Sequence, residues 1–515
     1  MSDSDTGCSD FGKVRAALWP VHRQEMKKLV PLLFIFFLIS FAYNVFRTMK
    51  DTLVMFGDGS GAEVIPFIKV WAMFPGALLL TLLYTRLSNR FSREMVLYIM
   101  LSFFLVYFFL FAFYLYPKRD ILHPNDFCDR LQVMLPGGFK GLIAMIRNWT
   151  FTVFYVMSEL WGNIVLFVLF WGFTNQITRL QEAKRFYGLL GFGANFSGIA
   201  AGQVSVWFSY NPPQWYQTST PWEATMLGLI TLVLLSGICV LGLLYWMHRN
   251  VLNDPVYYEP TDALADSQVK GKLSLRESFS YLLDSRYLVL ITLIVVGYNV
   301  VINLTEVMWK SQVKAVYTDP SDYNWYINQV STVIGTVATF VALFVSGNSI
   351  RLKGWTFTAM LTPIILLATS LIFFGLFFYS ELLPGSVLLL WGLTPTMLLA
   401  HVGSFQNILS RAAKYTVFDA TKEMAFVPLS AECKLKGKAA IDGVCNRLGK
   451  SGGSVIHQWL LILFSSFMAS APYVLFCLLF IIGIWMMAVG ALGRRFNELI
   501  RPEIARDKIP EPDLS

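Results

Sequence analysis

Charge is what this chain has least of. Asp, Glu, Lys and Arg make up only 14% of its 515 residues, against 55% hydrophobic ones, and a soluble domain of that make-up has too few polar side chains to cover its own surface. Cysteine is also sparse: Cys8, Cys128, Cys239, Cys433, Cys445 and Cys477 are scattered, none in a CxxC or zinc spacing. That supports neither a disulfide framework nor a metal site, and no cofactor is expected. A cleavable signal is missing, and Asp3, Asp5 and Asp10 do not suit an acid-poor transit peptide, so a bacterial inner membrane is expected rather than import into an organelle. A complete phosphate-binding loop is missing too. NRLGKSGGSV ends in GKS, but five residues rather than four separate Gly443 from Gly449 and no strand-like segment precedes them, which excludes an ATPase.

What is present is hydrophobic runs of about 18 to 25 residues, the length that crosses roughly 30 Å of hydrocarbon. They predict an all-α polytopic membrane protein with twelve transmembrane helices, at approximately 29–56, 64–85, 95–116, 149–173, 186–208, 224–247, 287–309, 325–346, 355–379, 386–409, 440–468 and 471–493. The net charge of +8 is sorted by topology rather than gathered into a nucleic-acid patch. Lys13, Arg15, Arg23, Lys27 and Lys28 precede the first span and Arg86, Arg90 and Arg93 follow the second, whereas the loops after the fifth, ninth and eleventh spans have no Lys or Arg. Both termini are therefore expected in the cytoplasm. The loop after the third span is the exception, with Lys118, Arg119, Arg130, Lys140 and Arg147 offset by Asp120, Asp126 and Asp129.

The long stretch at 248–286 divides the spans six and six. The expected organisation is a cytoplasmic N-terminus (1–28), an N-terminal half (29–247), a cytoplasmic linker (248–286), a C-terminal half (287–493) and a cytoplasmic tail (494–515). A weak repeat at an offset of 255 residues lays AYNVFRTMKDTLV at 42–54 over GYNVVINLTEVMW at 297–309, matching Tyr43 to Tyr298, Asn44 to Asn299 and Asp51 to Glu306; Asn195 falls on Lys450. Parallel six-helix halves of this kind are expected to hold substrate near the midplane where they meet.

The few charges inside spans carry the chemistry. A charged side chain at bilayer depth is costly unless it faces a partner or a watery cavity. Arg47, Lys50 and Asp51 lie on the first span, Glu159 on the fourth, Glu306 on the seventh and Lys450 at the mouth of the eleventh. Arg47 and Asp51 are spaced i, i+4 as in a structural salt bridge, which leaves Lys50 to meet an anionic substrate. Tyr155, Glu159 and Asn163 share a face. A buried Glu159 has to pair with a cation, coordinate an ion or keep a proton. Asn299, Asn303, Glu306 and Lys310 form one stripe, at about 100° per residue, that lines a cavity or makes a helix-packing seam. Lys450, amid Gly449, Gly452 and Gly453, offers an ammonium and close-approach backbone N–H groups to an anion, or marks a small-residue packing motif. Lys69 pairs with a carboxylate or snorkels, while His401, Gln406, Asn407 and His457 read as packing residues.

In order along the chain, MKDTLV at 49–54, GAEVIPFIKVW at 61–71, YVMSELWG at 155–162, LFWGFTNQIT at 169–178, INLTEVMWKSQVK at 302–314, AKYTVFDATKEMAF at 413–426, and KGKAAIDGV with GKSGGS at 436–454 resemble the non-mitochondrial ATP/ADP translocases of plastids and obligate intracellular bacteria. The resemblance covers about residues 11–500. It implies an MFS-like fold and exchange of ATP for ADP, with phosphate in some members, or proton-driven uptake of nucleotides in others. The family's critical lysines and glutamates fall on Lys50, Glu159, Glu306 and Lys450. Strict exchangers usually read RDTKD where this chain reads RTMKD, with Thr48 replacing the first aspartate. The mitochondrial carriers' repeated Px[DE]xx[KR] signature is absent.

The expected mechanism is alternating access by a monomer with no nucleic-acid partner. Lys50, Lys450 and Arg47 bind phosphates; Glu159, Glu306 and Asp51 couple or gate; Asn44, Tyr155, Asn163, Asn195, Asn299, Asn303 and Lys310 line the cavity; and Tyr43, Tyr155 or Tyr298 stacks on the base. The competing class is a non-transporting membrane scaffold or enzyme, against which stands the lack of a nucleophile-base pair, metal ligands or a soluble catalytic domain.

Overall fold

In the computed structural model the described residues are 21–22, 25–178, 180–215, 218–252, 282, 285–341, 349, 352–379, 392–430, 433, 437–438 and 440–506, and among them there is no strand. Residues 342–346 of the eighth predicted span and 386–391 of the tenth lie outside the described residues, and a helix stands in the described part of each predicted span. These are α1 (Met26–Met55), α2 (Val64–Arg90), α3 (Glu94–Leu115) and α4 (Trp149–Ile177); α5 (Leu180–Tyr210); α6 (Pro221–Leu252) and α7 (Arg286–Val316); α8 (Pro320–Val341); α9 (Trp355–Tyr379); α10 (Pro395–Ala413); α11 (Asn446–Phe464); and α12 (Phe467–Arg506). Eight helices, among the described residues, are long and apolar enough to cross a membrane: α1–α4, α6, α7, α9 and most of α12. The chain is a multi-pass membrane protein. Several of the other helices owe their lower hydropathy to polar residues that are buried in protein, such as Asn324 and Asn328 on α8, Gln406 and Asn407 on α10, and His457 on α11. Most of the expected linker, residues 253–281, lies outside the described residues, as do 1–20 and 507–515.

Local chemistry sets where several helices begin. Thr220 precedes Pro221 and accepts a hydrogen bond from the Glu223 N–H, and Thr394 precedes Pro395 and accepts from Met397. Each is a hydroxyl N-cap followed by the one helical position at which proline loses nothing. Ser92 and Ser285 cap α3 and α7 in the same way. Two of the departures from α geometry lie beside charges inside spans: α2 is π-helical over Ile68–Ala72, which includes Lys69, and α4 over Trp161–Phe170, just after Glu159.

The chain groups into two compact units. One comprises Met1–Lys50, Gly76–Leu122 and Val153–Gly271; the other comprises Asp51–Pro75, His123–Thr152 and Lys272–Ser515. In the first, Phe46 of α1 stacks on Phe108 of α3 at 3.9 Å and meets the edges of Phe154 and Trp161 of α4 at 5.9 and 5.8 Å. The Trp161 Nε1–H donates to the Ile39 carbonyl at 3.1 Å. At Gly162 a Cβ would stand 2.5 Å from the Tyr43 ring, so the missing side chain lets α1 and α4 close up.

In the second unit α7 is the hub. Trp309 Nε1–H donates to Ala400 O at 3.2 Å and Ser404 Oγ at 3.0 Å on α10. Tyr298 is wedged between Phe418 and Trp485. Two features hold the segment after α1 in this unit. Lys314 Nζ donates to the carbonyls of Met55 and Ser60 at 2.5 and 2.7 Å. The Asn148 amide accepts from the Asp58 N–H at 3.2 Å and donates to the Asp58 carbonyl at 3.0 Å.

Candidate functional site

Apart from Lys450, the residues singled out by their unlikely charge gather into two clusters, one in each unit. In the first unit, Lys50 on α1 places its ammonium 3.1 Å from Glu159 Oε1 on α4 and 3.9 Å from the centre of the Tyr155 ring. The Lys50 side chain is 5% exposed and that of Glu159 32%, so the lysine is sequestered while its carboxylate keeps one side open. A buried ammonium is tolerable only with such partners: the carboxylate supplies charge and the aromatic face its quadrupole. Tyr155 is thus a seat for Lys50, itself 1% exposed. One turn before Lys50, Arg47 is half-buried and, among the described residues, makes no ion pair. Asn44 donates to the Ser40 carbonyl of its own helix at 2.8 Å, and Asn163 is half-buried on α4. Asn195 lies on α5 with its side chain outside the described ones.

In the second unit the carboxylate of Asp51 turns to Lys310 Nζ at 2.7 Å, not to Arg47. Lys310 also meets Glu306 Oε1 at 2.7 Å, one turn back on α7, and that same oxygen accepts from Arg411 Nη2 of α10 at 2.8 Å. Arg411 Nε donates to Asn407 Oδ1 at 2.8 Å. Asp51, Lys310, Glu306 and Arg411 therefore form one chain of alternating sign, with side-chain exposures of 5%, 7%, 17% and 14%. Lys69, half-buried on α2, adds its positive field at Glu306.

The polar stripe of α7 splits along its length. Its far end, Glu306 and Lys310, carries the charges just described. Its near end packs on α11: a Cβ at Gly449 would stand 2.8 Å from the Asn299 Cβ, and one at Gly453 3.0 Å from the Asn303 Cβ. Asn303 donates to the Lys450 carbonyl at 2.8 Å and to Ser454 Oγ at 3.1 Å, while Asn299 bonds back to Val295 O at 2.8 Å. The glycines of GKSGGS are thus a close-packing surface, and the Lys450 side chain emerges exposed beside it. Of the aromatics weighed for base stacking, Tyr298 is 2% exposed and occupied by core partners, and only Tyr43 is half-open. His457 is fully buried, its Nε2 at 2.9 Å from the Leu304 carbonyl, a packing role.

Sequence reasoning passed over Arg411. It sits at the end of the tenth span, where a basic residue reads as a topological flank, and its i, i+4 spacing from Asn407 was the available signal.

Comparison with known proteins agrees with this architecture. A family model described as TLC ATP/ADP transporter matches residues 4–496. The chain is 47% identical over 493 residues to ADP,ATP carrier protein 1 of Chlamydia muridarum (strain MoPn / Nigg), covering 96% of this chain and 93% of that one. It is 40% identical over 499 residues to the chloroplastic ADP,ATP carrier protein 2 of Arabidopsis thaliana, covering 97% of this chain and 79% of the other. Among solved structures, a D-xylose-proton symporter aligns with a TM-score of 0.53 at 12% identity, over 90% of this chain and 97% of its own. The nucleoside transporter NupG aligns at 0.52 and 12%, over 91% and 99%. At that identity the structural likeness carries the fold alone, the expected MFS-like helical fold. Matched by the family model along nearly its whole length, and closely similar to carriers of chlamydiae and plastids, the chain belongs to the TLC ATP/ADP transporter family.

Proposed function

We propose that this protein exchanges ATP for ADP, or a wider set of nucleotides, across a bacterial inner membrane by alternating access, with both termini in the cytoplasm. The observation that carries the reading is the sequestered Lys50, paired with Glu159 and seated on Tyr155, with the half-buried Arg47 one turn away. A phosphate chain is the ligand that competes best with a carboxylate for such cations, because it offers the same charge-assisted hydrogen bonds with more charge. Names of the relatives, ADP,ATP carriers, support the choice of nucleotide.

In this mechanism Lys50, Arg47 and Lys450 take phosphate oxygens. Glu159 and Glu306 hold the cations while no substrate is bound, so each loading step trades a carboxylate for a phosphate. That trade ties reorientation to substrate and gives exchange instead of leak. Four negative charges on ATP against three on ADP move one charge per cycle, worth about 2.3 kcal/mol per 100 mV.

Proton-driven net import is the second reading, favoured by Thr48. Its hydroxyl is buried and donates to the Val45 carbonyl at 3.2 Å, an uncharged group where strict exchangers of the family carry a carboxylate. One experiment separates the two. Liposomes are preloaded with single nucleotides and a labelled panel, with and without phosphate, is taken up in the presence or absence of a protonophore. Dependence on internal nucleotide supports exchange, collapse with the protonophore supports import, and no uptake of any nucleotide removes both.

A further inference from the structure

Among the described residues, a cation–carboxylate pair joins α1 to α4 in the first unit and α7 to α10 in the second, with the signs exchanged. In the first unit the lysine is on α1 and the glutamate on α4; in the second the glutamate is on α7 and the arginine on α10. The two pairs differ in how tightly the cation is committed. Glu306 Oε1 accepts from both Lys310 and Arg411, at 2.7 and 2.8 Å, so Glu306 keeps a cation if one leaves. Lys310 is the one that stays, since Asp51 grips it as well at 2.7 Å. Arg411 is held by that single carboxylate, by the neutral amide of Asn407 and by a hydrogen bond to the Tyr415 side chain. Lys69, half-buried on α2, adds its positive field at Glu306 to those of Lys310 and Arg411. The helix also leaves α geometry just beyond this point, turning π-helical over Lys414–Phe418. Such irregular turns are common where a helix does chemistry.

We propose that Arg411 is a phosphate-binding residue of the transport cycle: its guanidinium leaves Glu306 for an oxygen of the nucleotide's phosphate chain, while Glu306 stays with Lys310. This rests on the nucleotide reading above. The fork of an arginine fits carboxylate and phosphate alike, and Asn407, fixed on Nε, keeps the fork oriented through the exchange. The competing role is positional, with Arg411 serving only to neutralise Glu306.

Nucleotide binding decides between them without requiring turnover. Purified full-length protein in detergent is titrated with ATP, ADP and AMP, and apparent affinity is read from the ligand-induced rise in melting temperature for wild type, R411Q, E306Q and R411Q/E306Q. Arg411→Gln is expected to weaken ATP roughly tenfold to a hundredfold, the worth of one charge-assisted contact. The loss is expected to shrink from ATP to AMP, and the double variant to stay as weak as R411Q. E306Q alone is expected to bind ATP at least as well as wild type. Wild-type affinity in R411Q overturns the proposal, as does restored affinity in the double variant, which is the result a purely positional role gives. If R411Q does not accumulate, R411K keeps the charge beside Glu306: weakened ATP binding at an unchanged melting temperature supports the proposal, and unchanged binding overturns it. A wild-type protein that neither binds nor exchanges nucleotide removes the functional reading itself, an outcome distinct from wild-type binding with an indifferent R411Q.

Discussion

Replacing Glu159 by Gln tests the idea that carboxylate and phosphate compete for the same lysine. At the 3.1 Å separation of Lys50 Nζ and Glu159 Oε1, Coulomb attraction at an effective dielectric constant near 20 is about 5 kcal/mol before desolvation is counted. Desolvation of the lysine, whose side chain is 5% exposed, and screening of the glutamate, which is 32% exposed, reduce the net worth of the pair to about 1–3 kcal/mol. The Tyr155 ring, 3.9 Å below the ammonium, softens the loss further. Glu159→Gln should therefore lower the stability of the empty protein by that amount. It should also raise apparent ATP affinity by about fivefold to a hundredfold, because the phosphate no longer has to displace a carboxylate. Lys50→Gln should do the reverse for ligand, abolishing most of the ATP-dependent stabilisation. Thermal unfolding across an ATP titration measures both quantities on the same sample. Equal ATP affinity in wild type and Glu159→Gln would refute the competition argument, and undiminished affinity in Lys50→Gln would refute the role of the lysine.

Gly449→Val and Lys450→Gln should fail differently. The first pushes a Cβ to 2.8 Å from the Asn299 Cβ and 3.1 Å from the Val296 backbone, an overpacking cost of about 1–3 kcal/mol seen as a lower melting temperature; the second should keep the melting temperature and lose ATP-dependent stabilisation. Asn148→Ala removes the clamp on Asp58 and should cost about 1–3 kcal/mol, with faster proteolysis over residues 56–61 as the readout. In the short helix Asp419–Ala425 between α10 and α11, burial pushes the Glu423 carboxyl up, but the hydrogen bond from Lys438 and the charge of Lys422 outweigh it and hold the carboxyl below the usual carboxylate range. A depressed folded value contributes stability above that range and loses it as pH falls through the folded value. Glu423→Gln should therefore lower the melting temperature slightly at neutral pH, and the difference from wild type should vanish in acid.

Much of this protein was legible without coordinates, for reasons that are local. A span has to be apolar over its own length, so hydrophobic runs located the long helices, though not the short ones at Asn125–Met134, Lys140–Arg147 and Asp419–Ala425. A cap needs a hydroxyl and often a proline at adjacent positions, as at Thr220–Pro221 and Thr394–Pro395. Charge inside such a run is conspicuous in any sequence, and Lys50, Glu159 and Glu306 announced themselves. What the string of letters could not decide was which charge meets which. Arg47 and Asp51 have the spacing of an ion pair, yet Asp51 is taken by Lys310, 259 residues away. A residue four positions along the same helix loses to one that packing brings to 2.7 Å in a buried setting, because the energy of an ion pair follows distance and desolvation rather than separation along the chain. The same cause hid Arg411 at the end of its span, and turned half of the α7 stripe into a seam once Gly449 and Gly453 brought α11 within backbone contact. The sequence by itself determined that charges are buried in membrane helices; only the tertiary structure decided their partners, since partner choice is a property of three-dimensional proximity.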